Sequence, residues 1–191
     1  MSSRFAVFGL GNVLLHDDAF GPQVISELRS QWLIPDDVVV EDLGTPGLEL
    51  STHLAGHRRV ILVDAVAADG SPGTLVSYDK ETIVRHPTGI RLGPHDPSLG
   101  ETLLTMDLVD DGPREVVLFG AIPASTEPGI GLSDEVRSAA TQVADDIVQW
   151  LRDQGIAIAP RESPVPRIAW WETPTEFEAF RVAGNQLPDS H

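Results

Sequence analysis

Three aspartates and a histidine fall at places in this chain where an α/β protein does chemistry. Asp17 and Asp18 stand together after a glycine turn. Asp64 closes the apolar run Val60, Ile61, Leu62, Val63, and His95 lies in the connection GPHDPSLG at residues 93–100. One carboxylate from the first pair, with Asp64 and His95, makes a mixed oxygen and nitrogen donor set with open positions. Such a set suits zinc, nickel or non-haem iron and lacks the thiolates of a structural zinc site. Each residue also has a plainer role. Asp17 or Asp18 caps the helix that follows, where acids are favoured. Asp64 holds a neighbouring loop by hydrogen bonds, although a carboxylate ending an apolar strand is costly to bury unless paired. His95, Asp96 and Ser98 serve as caps for a helix starting near Ser98. His53, His57 and His86 read as surface residues, and His16 as a solvated loop residue.

These side chains need a frame. Short β-branched runs at residues 4–8, 38–42, 59–64, 73–78 and 115–120 alternate with helical patterns at 19–31, 47–55, 99–107 and 133–153. The last helix is the most regular: Val136, Ala139, Ala140, Val143, Ile147, Val148 and Leu151 form one apolar stripe. Ser133 stands before Asp134 and Glu135 as a helix start. The first, second, third and fifth strands are near-continuous apolar runs, as in a sheet covered on both faces. The more polar run at 73–78 follows the turn Ser71, Pro72, Gly73 and reads as an edge strand. The alternation predicts an α/β three-layer sandwich, with a twisted, mostly parallel sheet of about five strands between helices. Ligands of such sheets bind outside the carboxyl ends of the strands. Asp17, Asp18, Asp42, Gly44, Thr45, Asp64 and the segment 121–128 should therefore share one rim, with His95 in the connection nearby.

The glycine turn nearly spells a dinucleotide site. Gly9 and Gly11 match G-x-G-x-x-G, but Leu14 stands where the third glycine would let the helix approach the strand. Two carboxylates next to it would repel a pyrophosphate. A metal or a polar substrate fits better. No serine sits in a G-x-S-x-G elbow, and there is no phosphate-binding G-x-x-x-x-G-K-[ST] loop.

Composition narrows the field further. The 191 residues suffice for one domain with a real core, and 41% of them are hydrophobic. The absence of cysteine excludes disulfides, a cysteine nucleophile and thiolate ligands. A net charge of −16 argues against nucleic acid and anionic lipid. No run approaches the length of a membrane span, and the first apolar run, residues 5–10, is too short for a signal peptide. The expectation is a cytoplasmic protein without membrane insertion. We expect one domain over residues 1–159 and a tail over 160–191. That tail holds Pro160, Pro164, Pro166, Pro174 and Pro188 with Trp170, Trp171, Phe177 and Phe180. Its prolines read as a flexible tail, its aromatics as anchors that dock on the domain or on a partner.

Several segments, in order, carry a family resemblance: GLGNVLLHDDAFG at 9–21, DLGTPGLEL at 42–50, VDA at 63–65, HDPSLG at 95–100 and GAIPASTEPGIGLS at 120–133. Together they resemble the hydrogenase maturation endopeptidases, which trim the large subunit of nickel–iron hydrogenases. The resemblance spans about residues 4–158. It implies that Asp18, Asp64 and His95 bind a metal, Asp18 rather than Asp17 matching the motif register. It implies that this metal is the nickel already carried by the hydrogenase large-subunit precursor, zinc or cadmium substituting in vitro. It further implies that Asp18 and Asp64 act in catalysis, and that Asn12, Gly44 and Thr45 contact the substrate peptide. Water is activated either by the metal or by a carboxylate as general base. Two other functions fit the same residues. One is a metallopeptidase or amidohydrolase that keeps its own zinc; the other is a non-catalytic nickel-binding scaffold.

Overall fold

The computed structural model describes residues 5–85 and 99–167, together with residues 169, 171 and 175. Five strands form one sheet in the order β3-β1-β4-β6-β5: β1 (Phe5–Gly9), β3 (Val38–Asp42), β4 (Arg59–Ala65), β5 (Leu75–Asp79) and β6 (Glu115–Ala121). All neighbours are parallel except β5, which runs antiparallel along the edge of β6. A separate two-stranded ladder joins β2 (Trp32–Leu33) to β7 (Ala159–Pro160).

Alternation along β1 explains the layers. Phe5 and Val7 point to one face, and Ala6, Phe8 and Leu10 to the other. The first face is covered by α1 (Phe20–Gln31) and α5 (Asp134–Asp153), the second by α2 (Leu50–Leu54) and α4 (Leu99–Leu108), with Ile83 of α3 (Lys80–Arg85) in the same cluster. The whole apolar stripe read from α5 is buried, and Ser133 caps it by accepting from the Val136 amide. Deleting a large aliphatic side chain from such a stripe costs about 2–5 kcal/mol.

Differences from the sequence reading are local. The first helical pattern opens as a 3-10 turn, His16–Ala19, and the second as another, Gly47–Glu49. Helix α3, at six residues, is too short to leave a periodic signal. Burial on both faces holds for β1 and most of β4; Val117 and Phe119 of β6 keep some exposure. Of the two readings of the tail, its described residues show docking on the domain. Arg161 and Val165 donate their amides to Gln31 and Ser30, the Ser30 hydroxyl donates to the Val165 carbonyl (2.6 Å), and Ala169 and Trp171 are buried in the core on that side. No described helix is long and apolar enough to cross a membrane.

The chain leaves β1 for β3 on one side, then returns past it to β4 on the other. That reversal puts the switch point, where open α/β sheets form their ligand crevice, at the carboxyl ends of β1 and β4. Gly9 pairs with Val63, so Asp64 lies at the lip of the crevice, next to the loop that carries Asp18.

Candidate functional site

Glycines shape this lip. Gly21, not residue 14, does the work of the missing third glycine. A Cβ there would stand 2.2 Å from the Leu10 carbonyl oxygen and 2.5 Å from that of Val63. Helix α1 thus seats its first turn directly on the strands, after a longer loop than the dinucleotide fingerprint allows. Gly11 has φ +127°, and a Cβ on it would overlap the Asp18 carbonyl oxygen at 1.8 Å. The loop consequently folds back so tightly that Asp18 returns to the turn it started from.

The adjacent aspartates do different jobs. Asp17 is buried and accepts four hydrogen bonds: from the amides of Ala124 (2.8 Å), Ser125 (3.2 Å) and Ser133 (2.7 Å), and from the Ser133 hydroxyl (3.0 Å). It does not cap the helix that follows it; its partners are the segment after β6 and the start of α5. Asp18 is half-buried, and its carboxylate accepts one amide, that of Asn12, at 2.7 Å. Burial raises the Asp18 carboxyl above its ordinary range against the pull of that amide.

Asp64 is buried. Burial pushes its carboxyl well above the usual carboxylate range, the charge of Asp18 pushes it further, and the Ala65 amide opposes both. None of the ion pairs among the described residues involves Asp18 or Asp64. Among the described residues, these two acidic groups thus repel each other with no cationic side chain paired to either. A divalent cation relieves that repulsion, and an all-oxygen pair accepts nickel, zinc or cadmium when further donors complete the set. His95, the expected nitrogen donor, lies outside the described residues, as do His86, Asp96 and Ser98.

The remaining sequence-predicted residues surround the crevice. Gly44 (φ +58°) receives the Gly11 amide on its carbonyl at 2.9 Å and donates its own amide to the Asp42 carboxylate at 2.9 Å. Among the described residues other than its chain neighbours, none has an atom within 4 Å of where its Cβ would be. Thr45 beside it is exposed. Asn12 shapes its own turn, its side-chain oxygen accepting the Leu14 amide at 2.9 Å. His16 is no solvated residue: at φ +45° it turns back onto the chain, its Nδ1 lies 3.2 Å from the Gly131 carbonyl oxygen, and its ring packs on Gly129 so closely that a Cβ there would sit 2.0 Å from Nε2. His53 and His57 are half-buried, edge-on to Phe8 with centroids 6.3 and 5.6 Å away. Asp17's partners and the His16 seat left no local signal, because they lie more than 100 residues along the chain.

Comparison with known proteins agrees with this fold. The family model of the HycI hydrogenase maturation proteases matches residues 22–150. The hydrogenase 2 maturation protease of Escherichia coli is 32% identical over 84% of this chain and 98% of its own length. The solved structure of the hydrogenase maturating endopeptidase HybD from E. coli superposes with a TM-score of 0.76 at 32% identity, covering 83% of this chain and 98% of that one. A hydrogenase 2 maturation peptidase from Thaumarchaeota archaeon SCGC_AB-539-E09 gives a TM-score of 0.60 at 34% identity, over 78% of this chain and 98% of its own.

Proposed function

The chain belongs to the hydrogenase maturation protease family, an endopeptidase family, and on that premise we propose that it removes the C-terminal extension of a nickel–iron hydrogenase large-subunit precursor in the cytoplasm, after nickel insertion. The observation that carries this reading is the Asp18–Asp64 pair, a half-buried and a buried carboxyl whose charges oppose each other and which no described cationic side chain pairs with. Nickel enters as part of the substrate. Asp18 and Asp64, with His95, meet it when the precursor docks, so that only a loaded precursor offsets their repulsion. Zinc or cadmium can take the same oxygens in vitro.

The peptide next to that nickel lies along Asn12, Gly44 and Thr45. A carboxyl kept above its ordinary range by burial is suited to exchange a proton with the attacking water or the departing amine. Asp64 and Asp18 are the groups in reach of that task. Intact-mass measurement of a precursor incubated with the protein tests the reading. The expected result is loss of one discrete C-terminal peptide from the nickel-loaded form alone. Turnover of small peptides by a tightly zinc-bound protein would replace the reading with a self-contained metallopeptidase. Precursor binding without any product would replace it with a scaffold.

A further inference from the structure

We infer that Asp17 is a positioning residue that fixes the carboxylate of Asp18 through Ser133; the inference rests on the role proposed for Asp18. Asp17 is buried, and its four acceptor contacts engage both carboxylate oxygens: Oδ1 takes the Ser133 amide, and Oδ2 takes Ala124, Ser125 and the Ser133 hydroxyl. The donors come from both ends of the segment between β6 and α5, so one side chain gathers that segment under the loop carrying Asp18.

Main-chain bonds extend the clamp. Asp17 donates its amide to the Ser125 carbonyl, His16 donates to Gly129, and Gly129 donates back to Leu14. After Ala19 the chain enters α1, which Gly21 seats against Leu10 and Val63. Asp18 is therefore held between two anchored points, and its carboxylate meets the Asn12 amide from there.

The residue type follows from the donors. Three amides and a hydroxyl converge on Asp17. A carboxylate accepts all of them, whereas an asparagine offers one acceptor oxygen and turns an NH₂ toward the other donors. Ser133 serves twice, donating to Asp17 and accepting from Val136 as the cap of α5. A misplacement of about 1 Å at a catalytic group can lower a rate about 100-fold. The clamp's consequence for function is the placement of Asp18 relative to Asp64.

The test compares Ser133→Ala, Ser133→Thr and Asp17→Asn in the full chain. Two readouts are taken: steady-state cleavage of the nickel-loaded precursor, and the ¹H–¹⁵N resonance of Asn12, whose amide reports the bond to Asp18. Ser133→Ala should lower kcat roughly 10- to 100-fold with KM unchanged, and should shift the Asn12 amide upfield as its bond lengthens. Ser133→Thr, which keeps the hydroxyl, should restore both. Asp17→Asn should exceed Ser133→Ala if it folds; if it does not, the serine pair decides. A cap role alone would lower the melting temperature and leave the Asn12 amide in place, which overturns the inference. So would a threonine variant as impaired as the alanine variant. If the wild-type protein cleaves no precursor, the proposed function fails, yet the Asn12 resonance still decides the clamp.

Discussion

Glu27 of helix α1 and Asp64 of β4 are both acids withdrawn from water, and they are kept by opposite means. Glu27 faces the residues after β7. Arg167 donates to its Oε1, Gln31 donates to Oε2 at 2.5 Å, and Gln23 reaches Oε1 at 3.4 Å. Asp64 has the Ala65 amide in its favour and the Asp18 carboxylate against it. A buried charge with partners is part of the architecture; one without them carries an energetic penalty that a ligand can remove. The two acids differ in their partners more sharply than in their burial.

The largest effect should come from Asp64→Asn. Cleavage of the nickel-loaded precursor should fall about 1,000-fold or more, as expected when a group acting on the reacting centre is lost. The same variant should be more stable than wild type at neutral pH. The folded-state Asp64 carboxyl is raised, so the native state binds more protons than the unfolded state. Its penalty is absent below the unfolded value of about 3.9, grows as pH rises toward the folded value, and is complete above it. Thermal unfolding across pH should show the two proteins converging near pH 3 and the variant ahead at pH 7. A variant less stable at pH 7 would remove Asp64 from the functional side of the comparison.

Next in size is Gly11→Ala, where both the positive φ and the Asp18 carbonyl oppose a Cβ. A loss of more than about 3 kcal/mol, or a displaced loop, is expected in denaturant unfolding, since such sites exceed the ordinary glycine-to-alanine effect. On the structural side, Trp171→Ala should cost about 3 kcal/mol through its buried ring. Arg167→Ala should cost about 1–3 kcal/mol by stranding Glu27, toward the lower end because the arginine is 37% exposed. Adding Glu27→Gln to Arg167→Ala should recover part of that loss, and neither change should alter cleavage once folded protein is compared. If Arg167→Ala abolished cleavage of a fully folded protein, the division between the two regions would fail. The smallest effect is Gly44→Ala: its left-handed φ costs a non-glycine residue about 1–2 kcal/mol, with no clash to add.

What the sequence made legible follows the range of the interactions. The sheet strands and α5 were readable because periodicity is local. Asp64 stood out as a carboxylate at the end of an apolar strand, and the turn at Gly9 and Gly11 was visible as a turn. The packing role of Gly21 was hidden by the length of the loop before it. Asp17 looked like a local cap because its true partners, at separations of 107 to 116 residues, leave no trace nearby. The same holds for Arg167 on Glu27, 140 residues apart, a contact between the tail and α1 that no local pattern announces. Pattern reading finds groups at strand ends; it does not tell which of two adjacent acids is already satisfied.

Asp18 and Asp64, which no cationic side chain among the described residues pairs with, are proposed to meet the nickel that the precursor brings. The most direct test is the affinity of nickel-loaded and nickel-free precursor for the wild-type protein and for Asp64→Asn, measured by equilibrium binding without relying on turnover. The account predicts that wild type binds the loaded form at least about tenfold more tightly, a difference of about 1.4 kcal/mol, and that the variant binds both forms alike. A variant that keeps the wild-type preference, or a wild type that has none, would contradict it.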